Sequence, residues 1–433
     1  MPEADDPPVI VGSVPGSFAR SVLAERHPAL IQQVRDAFPW SPRRHRALDA
    51  LLVSCTEGVI EPLDADAHDR DQWDAWGGEY VGRSWFDVPF LWSESYFYRR
   101  LLGAVGYFAP GPWQGIDPFA PFKRAELLGS LVDDELAALD ALARRPAGER
   151  AVAYLQGSLW GNRADLGFAV GSPDGARTVD RPGGSRTDSD DHAADDASGG
   201  SSSGSAAGEP PPLVADDSDT LWSLLPAARA PGAVRTVHVI ADNAGRELIP
   251  DLVLIDHLLT TERADEVVLH VKPYPYYVSD ATMADVVDCA RRLAQASGSA
   301  GEAGRRLWAA MGDGRLAVRA HGFYCAPFPY SEMPEDLRRE LAGAALTIVK
   351  GDLNYRRLVG DRLWVPTTPF AERTAHFPGP VAALRTLKSD VIVGLDPRTV
   401  ARLDDAGASG GAGDGANHAW RTSGTHALVQ VTP

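Results

Sequence analysis

Oxygen-bearing side chains stand where three apolar, strand-like runs stop. "VRTVHVI" ends in Asp242-Asn243. "EVVLHVK" leads through "KPYPYYVSD" to Asp280. "ALTIVKG" carries Lys350 and leads to Asp352, Asn354 and Tyr355. Asp242, Asn243 and Asp280 offer two carboxylates and an amide carbonyl, all hard donors. They suit Mg2+ or Mn2+ with water completing an octahedron, and leave room for Co2+ or Ni2+. "ALRTLKSDVIVG" adds Arg385, Lys388 and Asp390 beside another short strand. A helix beginning after Gly245 would aim its backbone N–H groups at the same place, which favours a phosphate. A divalent metal, cations and a helix N-terminus are the parts that phosphoryl transfer needs.

Taken one at a time, these residues have simpler roles. Asp242, Asn243 and Asp280 each read as a helix N-cap, and Asp352 could cap "LNYRRL". Lys388 and Arg385 read equally well as solvated surface charges, and His257 and His321 as core or surface residues. The joint reading rests on several such groups falling at the same end of successive strands. That end is where open parallel sheets bind their ligands.

The elements that must position them alternate from Val234 onward. "VRTVHVI" predicts a strand and "GRELIPDLVLIDHLL" a helix. "EVVLHVK" (Glu266–Lys272) is followed by "ATMADVVDCARRLA" (Ala281–Ala294), "RLAVRA" by "PEDLRRELA", and "ALTIVKG" (Ala345–Gly351) by "LNYRRLVG". Buried strands alternating with helices imply a parallel sheet covered on both faces. Residues 17–165 read mostly helical: "ALIQQVRDAF" (Ala29–Phe38) and "HRALDALLVSC" (His45–Cys55) carry apolar residues at three-and-four spacing. "DDELAALDALARR" (Asp133–Arg145) does the same, with acids first and arginines last, as the helix dipole prefers. Residues 1–16 are expected to be a flexible N-terminus. Ser172–Pro212 has almost no large apolar residue and is expected to be a disordered acidic insertion. The α/β part spans 213–400, and 401–433 reads as a low-complexity tail with a short terminal strand.

Bulk composition narrows the function. Hydrophobic residues make up 44% and charged residues 23% of 433, a soluble globular balance. A net charge of -17 argues against nucleic acid, and weakly against an anionic membrane. Cys55, Cys289 and Cys325 form no CxxC pair and no disulfide framework, as expected for reduced thiols in a cytoplasmic protein. No segment approaches the roughly 20 apolar residues of a membrane span, and the acidic start has no secretory pattern.

"DNAGREL", "VSDAT", "KGDLNYRRL" and "RTLK" together resemble the signatures of the damage-control phosphatase family, the acidic-residue-methyltransferase-like family that was formerly a domain of unknown function. "WFDVPFLWSESYFYRRLLG" (Trp85–Gly103) and "SLWGNRADL" (Ser158–Leu166) resemble two further elements. An RTxK element about 45 residues from the C-terminus resembles the subfamily acting on sugar phosphates. The likeness runs on both sides of Ser172–Pro212, which makes that stretch an insertion within the fold rather than a boundary.

The resemblance implies a helical N-terminal part packed on a Rossmann-like α/β/α domain with a mostly parallel sheet. It implies a metal-dependent phosphatase for sugar phosphomonoesters, hexose phosphates such as fructose 1-phosphate or fructose 6-phosphate. Asp242, Asn243 and Asp280 match the family's metal ligands. Asp352, Leu353, Asn354, Tyr355, Arg356 and Lys388 match its substrate contacts. In this reading Lys388 holds the phosphate and Asp352, Asn354, Tyr355 and Arg356 read sugar hydroxyls. Glu94 and Arg99 line the opposite wall. Water and a carboxylate, Asp242 or Asp280, remain alternative nucleophiles. The runner-up is S-adenosylmethionine-dependent methylation of protein carboxylates, for which Glu247 and Asp280 match cofactor positions. The expected partner is a small-molecule sugar phosphate, with neither nucleic acid nor membrane, and the chain is expected to act as a monomer or small homo-oligomer.

Overall fold

The computed structural model describes residues 6–161, 213–227, 234–408 and 416–433. The expected disordered insertion lies outside the described residues, as does "NRADL", residues 162–166. Among the described residues, seven strands form one sheet: β1 (Ala215–Asp216), β2 (Thr236–Ile240), β3 (Glu266–Val271), β4 (Leu316–Ala320), β5 (Leu346–Lys350), β6 (Val381–Thr386) and β7 (Ala427–Thr432). Their order is β1-β7-β6-β5-β2-β3-β4. Neighbours run parallel except β6 and β7, which are antiparallel with Ala383 opposite Gln430. The sheet is mixed α/β and mostly parallel, as expected.

Alternation along the strands sorts the core into two layers. Val237, Val239, Val267 and Leu269 face one cluster with Leu252, Ile255 and Leu293. Ile240 and Val349 face the other, with Tyr330, Leu337 and Tyr355. The helix after β2, Leu248–Thr260, packs on the first face. The helix after β5, Gly351–Val359, contributes Tyr355 and Leu358 to the second. From β2 the chain moves outward to β3 and β4, then returns to β5 on the other side of β2. The C-terminal ends of β2 and β5 therefore border the crevice where strand order reverses.

The N-terminal part builds its own aromatic core from Trp73, Trp85, Trp92, Tyr96 and Phe97. Its central helix, Phe90–Val105, is buried along nearly its whole length and stops at Gly106 in the left-handed conformation, φ 86°. The expectation of a flexible N-terminus needs correction for residues 9–11. Val9 bridges Arg362 and Val11 bridges Pro89. The Phe90 amide donates to the Ile10 carbonyl at 2.8 Å, and the Ile10 side chain is buried. One buried isoleucine and two backbone bridges hold residues 9–11 in place.

Candidate active site

Past β2, the ladder continues through single contacts that set the site. The Ala241 amide donates to the His270 carbonyl at 2.9 Å, and Ala281 to the Asp242 carbonyl at 2.9 Å. Ala244 donates to the Ser279 carbonyl at 2.6 Å, and Asn243 bridges Asp280. Residues 241–244 and 279–282 are thus laced together, which brings Asp242, Asn243 and Asp280 side by side. Gly245, at φ 63°, turns the chain into its helix where a Cβ would stand 2.6 Å from the Glu126 carboxylate.

Both carboxylates are buried, Asp242 at 7% and Asp280 at 2% exposure. Burial pushes the Asp242 carboxyl well up, the nearby charges of Glu247 and Asp280 add to this, and Lys388 and Lys272 oppose it. Burial also raises Asp280, against Lys272, the Tyr277 amide, Lys123 and Arg357. The Tyr277 amide reaches Asp280 Oδ2 at 3.0 Å. Asn243 Nδ2 donates to Asp242 Oδ2 at 3.2 Å and to Glu247 Oε2 at 2.9 Å. Asn243 Oδ1 accepts from Ser279 Oγ at 2.9 Å and keeps a second lone pair. Among the described residues no lysine or arginine forms an ion pair with Asp242 or Asp280. Two buried, mutually repelling carboxylates beside an amide oxygen fit a divalent cation, whose charge would remove the repulsion.

From the other side of the crevice comes β5 and its helix. Gly351, at φ 83°, lets the backbone pass so close that an added Cβ would stand 1.8 Å from Asp242 Oδ2. The first turn of this helix has no side-chain cap at Lys350. Lys350 itself turns away, to Asp251 Oδ1 and Ser158 Oγ, each at 2.9 Å. Asp352 Oδ1 accepts from Arg385 Nε at 2.8 Å, the Lys388 amide at 3.2 Å and Ser389 Oγ at 3.1 Å. Burial alone would raise Asp352, but Arg385 and Arg356 hold it below the ordinary carboxylate range. Asn354 donates to the carbonyls of Ala241 and Lys350, at 3.0 and 2.9 Å, and accepts from the Tyr330 hydroxyl at 3.1 Å. The Tyr355 hydroxyl donates to Gln430 Oε1 at 2.9 Å. Both side chains are fully buried. Asp352, Asn354 and Tyr355 therefore brace the strand ends with their side chains, which differs from the expected reading of sugar hydroxyls. Counting strand ends found these residues; it did not reveal which way each side chain turns.

Leu353 packs with Leu91, Tyr276 and Cys325. Arg356 pairs with Asp361 at 2.7 and 3.0 Å and with Glu94 Oε2 at 3.1 Å. Glu94 also accepts from the Tyr277 hydroxyl at 3.2 Å, so the helical part and the sheet share one polar cluster. Burial raises Glu94 while Arg356 opposes it. Arg99 joins Asp69 at 2.7 and 2.5 Å and lies over the Phe108 ring, 4.3 Å from its centroid. It does not join the Glu94–Arg356 group. Lys388 is half-buried. Its charge acts on Asp242 and Glu126, and no hydrogen bond occupies its ammonium among the described residues.

Two lysines escaped the reading of the sequence. Lys123 Nζ anchors the Asp280 carbonyl at 2.8 Å while pairing with Asp117 and Asp285 at 3.0 and 3.1 Å. It lies in the helical part, and no local pattern marks it. Lys272 closes "EVVLHVK", and the same count of strand ends that found Asp242 could have found it. A second group, His238, His270 and Glu340, has potential metal-ligand atoms within 4.8 Å of one another. Its ring nitrogens already hydrogen-bond each other at 2.7 Å, and Glu340 pairs with Arg319 at 2.7 Å. Two nitrogens on one tetrahedral zinc would stand about 3.3 Å apart at ordinary bond lengths. The histidine pair is closed on itself.

Cationic and carboxylate groups around a sheet crevice suit a phosphate-processing enzyme, and comparison with known proteins gives the class. The chain belongs to the family described as the damage-control phosphatase ARMT1-like domain, whose model matches residues 22–403. It is 29% identical over 463 residues to the damage-control phosphatase ARMT1 of Danio rerio, covering 96% of this chain and 95% of that one. It is 30% identical over 367 residues to the Bos taurus protein of the same name, covering 79% and 78%. The crystal structure of a DUF89 family protein from Pyrococcus horikoshii superposes with a TM-score of 0.43 at 14% identity, covering 89% of this chain and 93% of that one. That likeness is too loose to bear on the site.

Proposed function

We propose that this phosphatase hydrolyses sugar phosphomonoesters, hexose phosphates such as fructose 1-phosphate or fructose 6-phosphate, in the cytoplasm, and that it needs Mn2+ or Mg2+. The observation that carries this is the buried trio of Asp242, Asn243 and Asp280 at the crevice, with two carboxylates that no lysine or arginine among the described residues pairs. Asp242, Asn243 and Asp280 would hold the metal. When bound, it would polarise the phosphoryl oxygens and offset charge on the departing alkoxide. Lys388 would hold the phosphate as a point charge. Asp352, which receives the Lys388 amide, would keep that loop in register. The helix after β5 begins beside Asp242, and its uncapped first turn would favour an anion there. Arg356, Glu94 and Tyr277 would form the far wall, and Leu353 its apolar side. Burial of Asp242 and Asp280 strengthens the charge interactions around them.

Phosphate release from a panel of hexose phosphates, with Mn2+ or with EDTA, tests the proposal. Methyl transfer from labelled S-adenosylmethionine is measured in parallel. Metal-dependent release supports it. Methyl transfer without release would assign the site to carboxyl methylation, with Glu247 and Asp280 facing the cofactor.

A further inference from the structure

Seven lysines and arginines are buried among the described residues: Arg99, Lys123, Lys272, Lys350, Arg356, Arg357 and Arg385. Six have partners. Arg99, Lys123, Lys350, Arg356 and Arg385 pair with carboxylates. Arg357 donates to the carbonyls of Phe328, Tyr324 and Phe323. Lys272 has none: its ammonium is buried, at 2% residue exposure, with no hydrogen-bond partner. A buried charge without a partner is costly, and folded chains rarely leave one.

Its position is tightly set. The Lys272 amide donates to the Ala281 carbonyl at 2.9 Å, and the residue bridges Thr282, next to the laced segment carrying Asp280. The ammonium lies 5.7 Å from the Tyr276 ring centroid and 6.0 Å from that of Tyr324. Its charge acts on both Asp280 and Asp242, yet it forms no ion pair with either. It follows β3, whereas Lys388 follows β6, and β5 and β2 lie between them. The two lysines thus follow the strands that flank β5 and β2 on either side.

We propose that Lys272 is a phosphate-binding residue, donating to a non-bridging oxygen of the phosphoryl group from the side opposite Lys388. This rests on the phosphatase reading above. An ammonium repels a metal ion, so the missing partner is an anion or a neutral acceptor. The site of a phosphomonoesterase supplies a dianion. No bond is made or broken at Lys272; it orients the phosphoryl group and neutralises part of its charge.

The full-length protein and its Lys272→Met variant are compared by calorimetric titration, first with Mn2+ alone and then with inorganic phosphate in saturating Mn2+. The expected result is a loss of phosphate affinity of about tenfold or more, with Mn2+ affinity unchanged or higher because a neighbouring positive charge has gone. Unchanged phosphate affinity overturns the proposal. So does a parallel loss of Mn2+ and phosphate affinity, which would make Lys272 an organiser of the carboxylates. Lys272→Gln keeps part of the stem and an uncharged NH2 donor in case the Met variant does not fold; phosphate affinity equal to wild type in that variant is equally fatal. Wild-type protein that neither binds phosphate with Mn2+ nor releases it from sugar phosphates overturns both this inference and the phosphatase reading. Wild type that does both, beside a variant that matches it, overturns the lysine alone.

Discussion

Gly351→Ala makes a contact failure out of one methyl group. At φ 83° an alanine pays the left-handed backbone cost, about 1–2 kcal/mol. Its Cβ would also stand 1.8 Å from Asp242 Oδ2, where ordinary contact begins near 3.4 Å. The difference, 3.4 − 1.8, requires a retreat of about 1.6 Å, shared between helix and carboxylate. A displacement of about 1 Å in a reacting array can lower the rate about a hundredfold. Gly314→Ala is the control. It has the same backbone sign, φ 86°, with nothing within 4 Å of the added Cβ. Both variants should lose stability in EDTA-treated thermal melts, Gly351→Ala more than Gly314→Ala because of its added contact. Only Gly351→Ala should lose the melting-temperature gain that Mn2+ gives by mass action, along with about two orders of magnitude in kcat/KM. If Gly351→Ala keeps wild-type Mn2+ stabilisation and turnover, Asp242 does not hold the metal at this contact, and the reasoning fails.

Asp242→Ala and Asp280→Ala should each abolish phosphate release while the protein stays folded, with Mn2+ no longer raising the melting temperature; a variant with full metal-stimulated activity would sink the ligand assignment. Lys388→Ala should lower kcat/KM by about ten- to a hundredfold while changing stability by no more than about 0.5 kcal/mol; equal kcat/KM in a steady-state assay removes it from the site. The pH dependence of stability has a defined sign. His27 is buried, with its ring stacked on Phe97, and burial lowers its pKa from 6.5 to about 3, Arg26 adding to the effect. Its stability contribution is present above pH 6.5 and is lost as pH falls towards about 3, because only the unfolded chain takes up the proton in that window. His27→Phe should therefore flatten the acid limb in denaturant titrations between these values, and an unchanged limb would show that His27 is not held neutral.

The strand–helix alternation was legible because β2, β3 and β5 are apolar runs that stop on polar groups. The resemblance to the phosphatase family was legible in short runs at chain turns. Other features were not. The helix Gly298–Asp313 carries Gly298, Gly301, Gly304 and Gly312, a composition that reads as a loop. Packing explains two of these glycines: a Cβ on Gly304 would stand 2.2 Å from the Ala294 amide nitrogen, and one on Gly301 2.1 Å from the Ala296 carbonyl. Close approach of helices outweighs local propensity there. Periodicity likewise places Asn354 and Tyr355 on a helix but cannot say that one is drawn to the Ala241 carbonyl and the other to Gln430. The unpaired state of Lys272 depends on which groups the fold brings around its ammonium, and no spacing rule encodes that.

The place of β7 between β6 and β1 bears on how the chain matures. Gln430, on that strand, accepts from the Tyr355 hydroxyl at 2.9 Å and donates to the Val393 carbonyl at 2.7 Å, so it clasps both the helix after β5 and the segment following Lys388. During synthesis β6 leaves the ribosome more than 40 residues before β7 begins. Until residues 427–432 emerge, the edge of β6 opposite β5 is an open template for any other extended chain. The Gln430 clasp on the helix after β5 and on Val393 would then form only after translation of this strand, which makes late-stage chaperone contact and strand-exchange aggregation the natural hazards of its biogenesis.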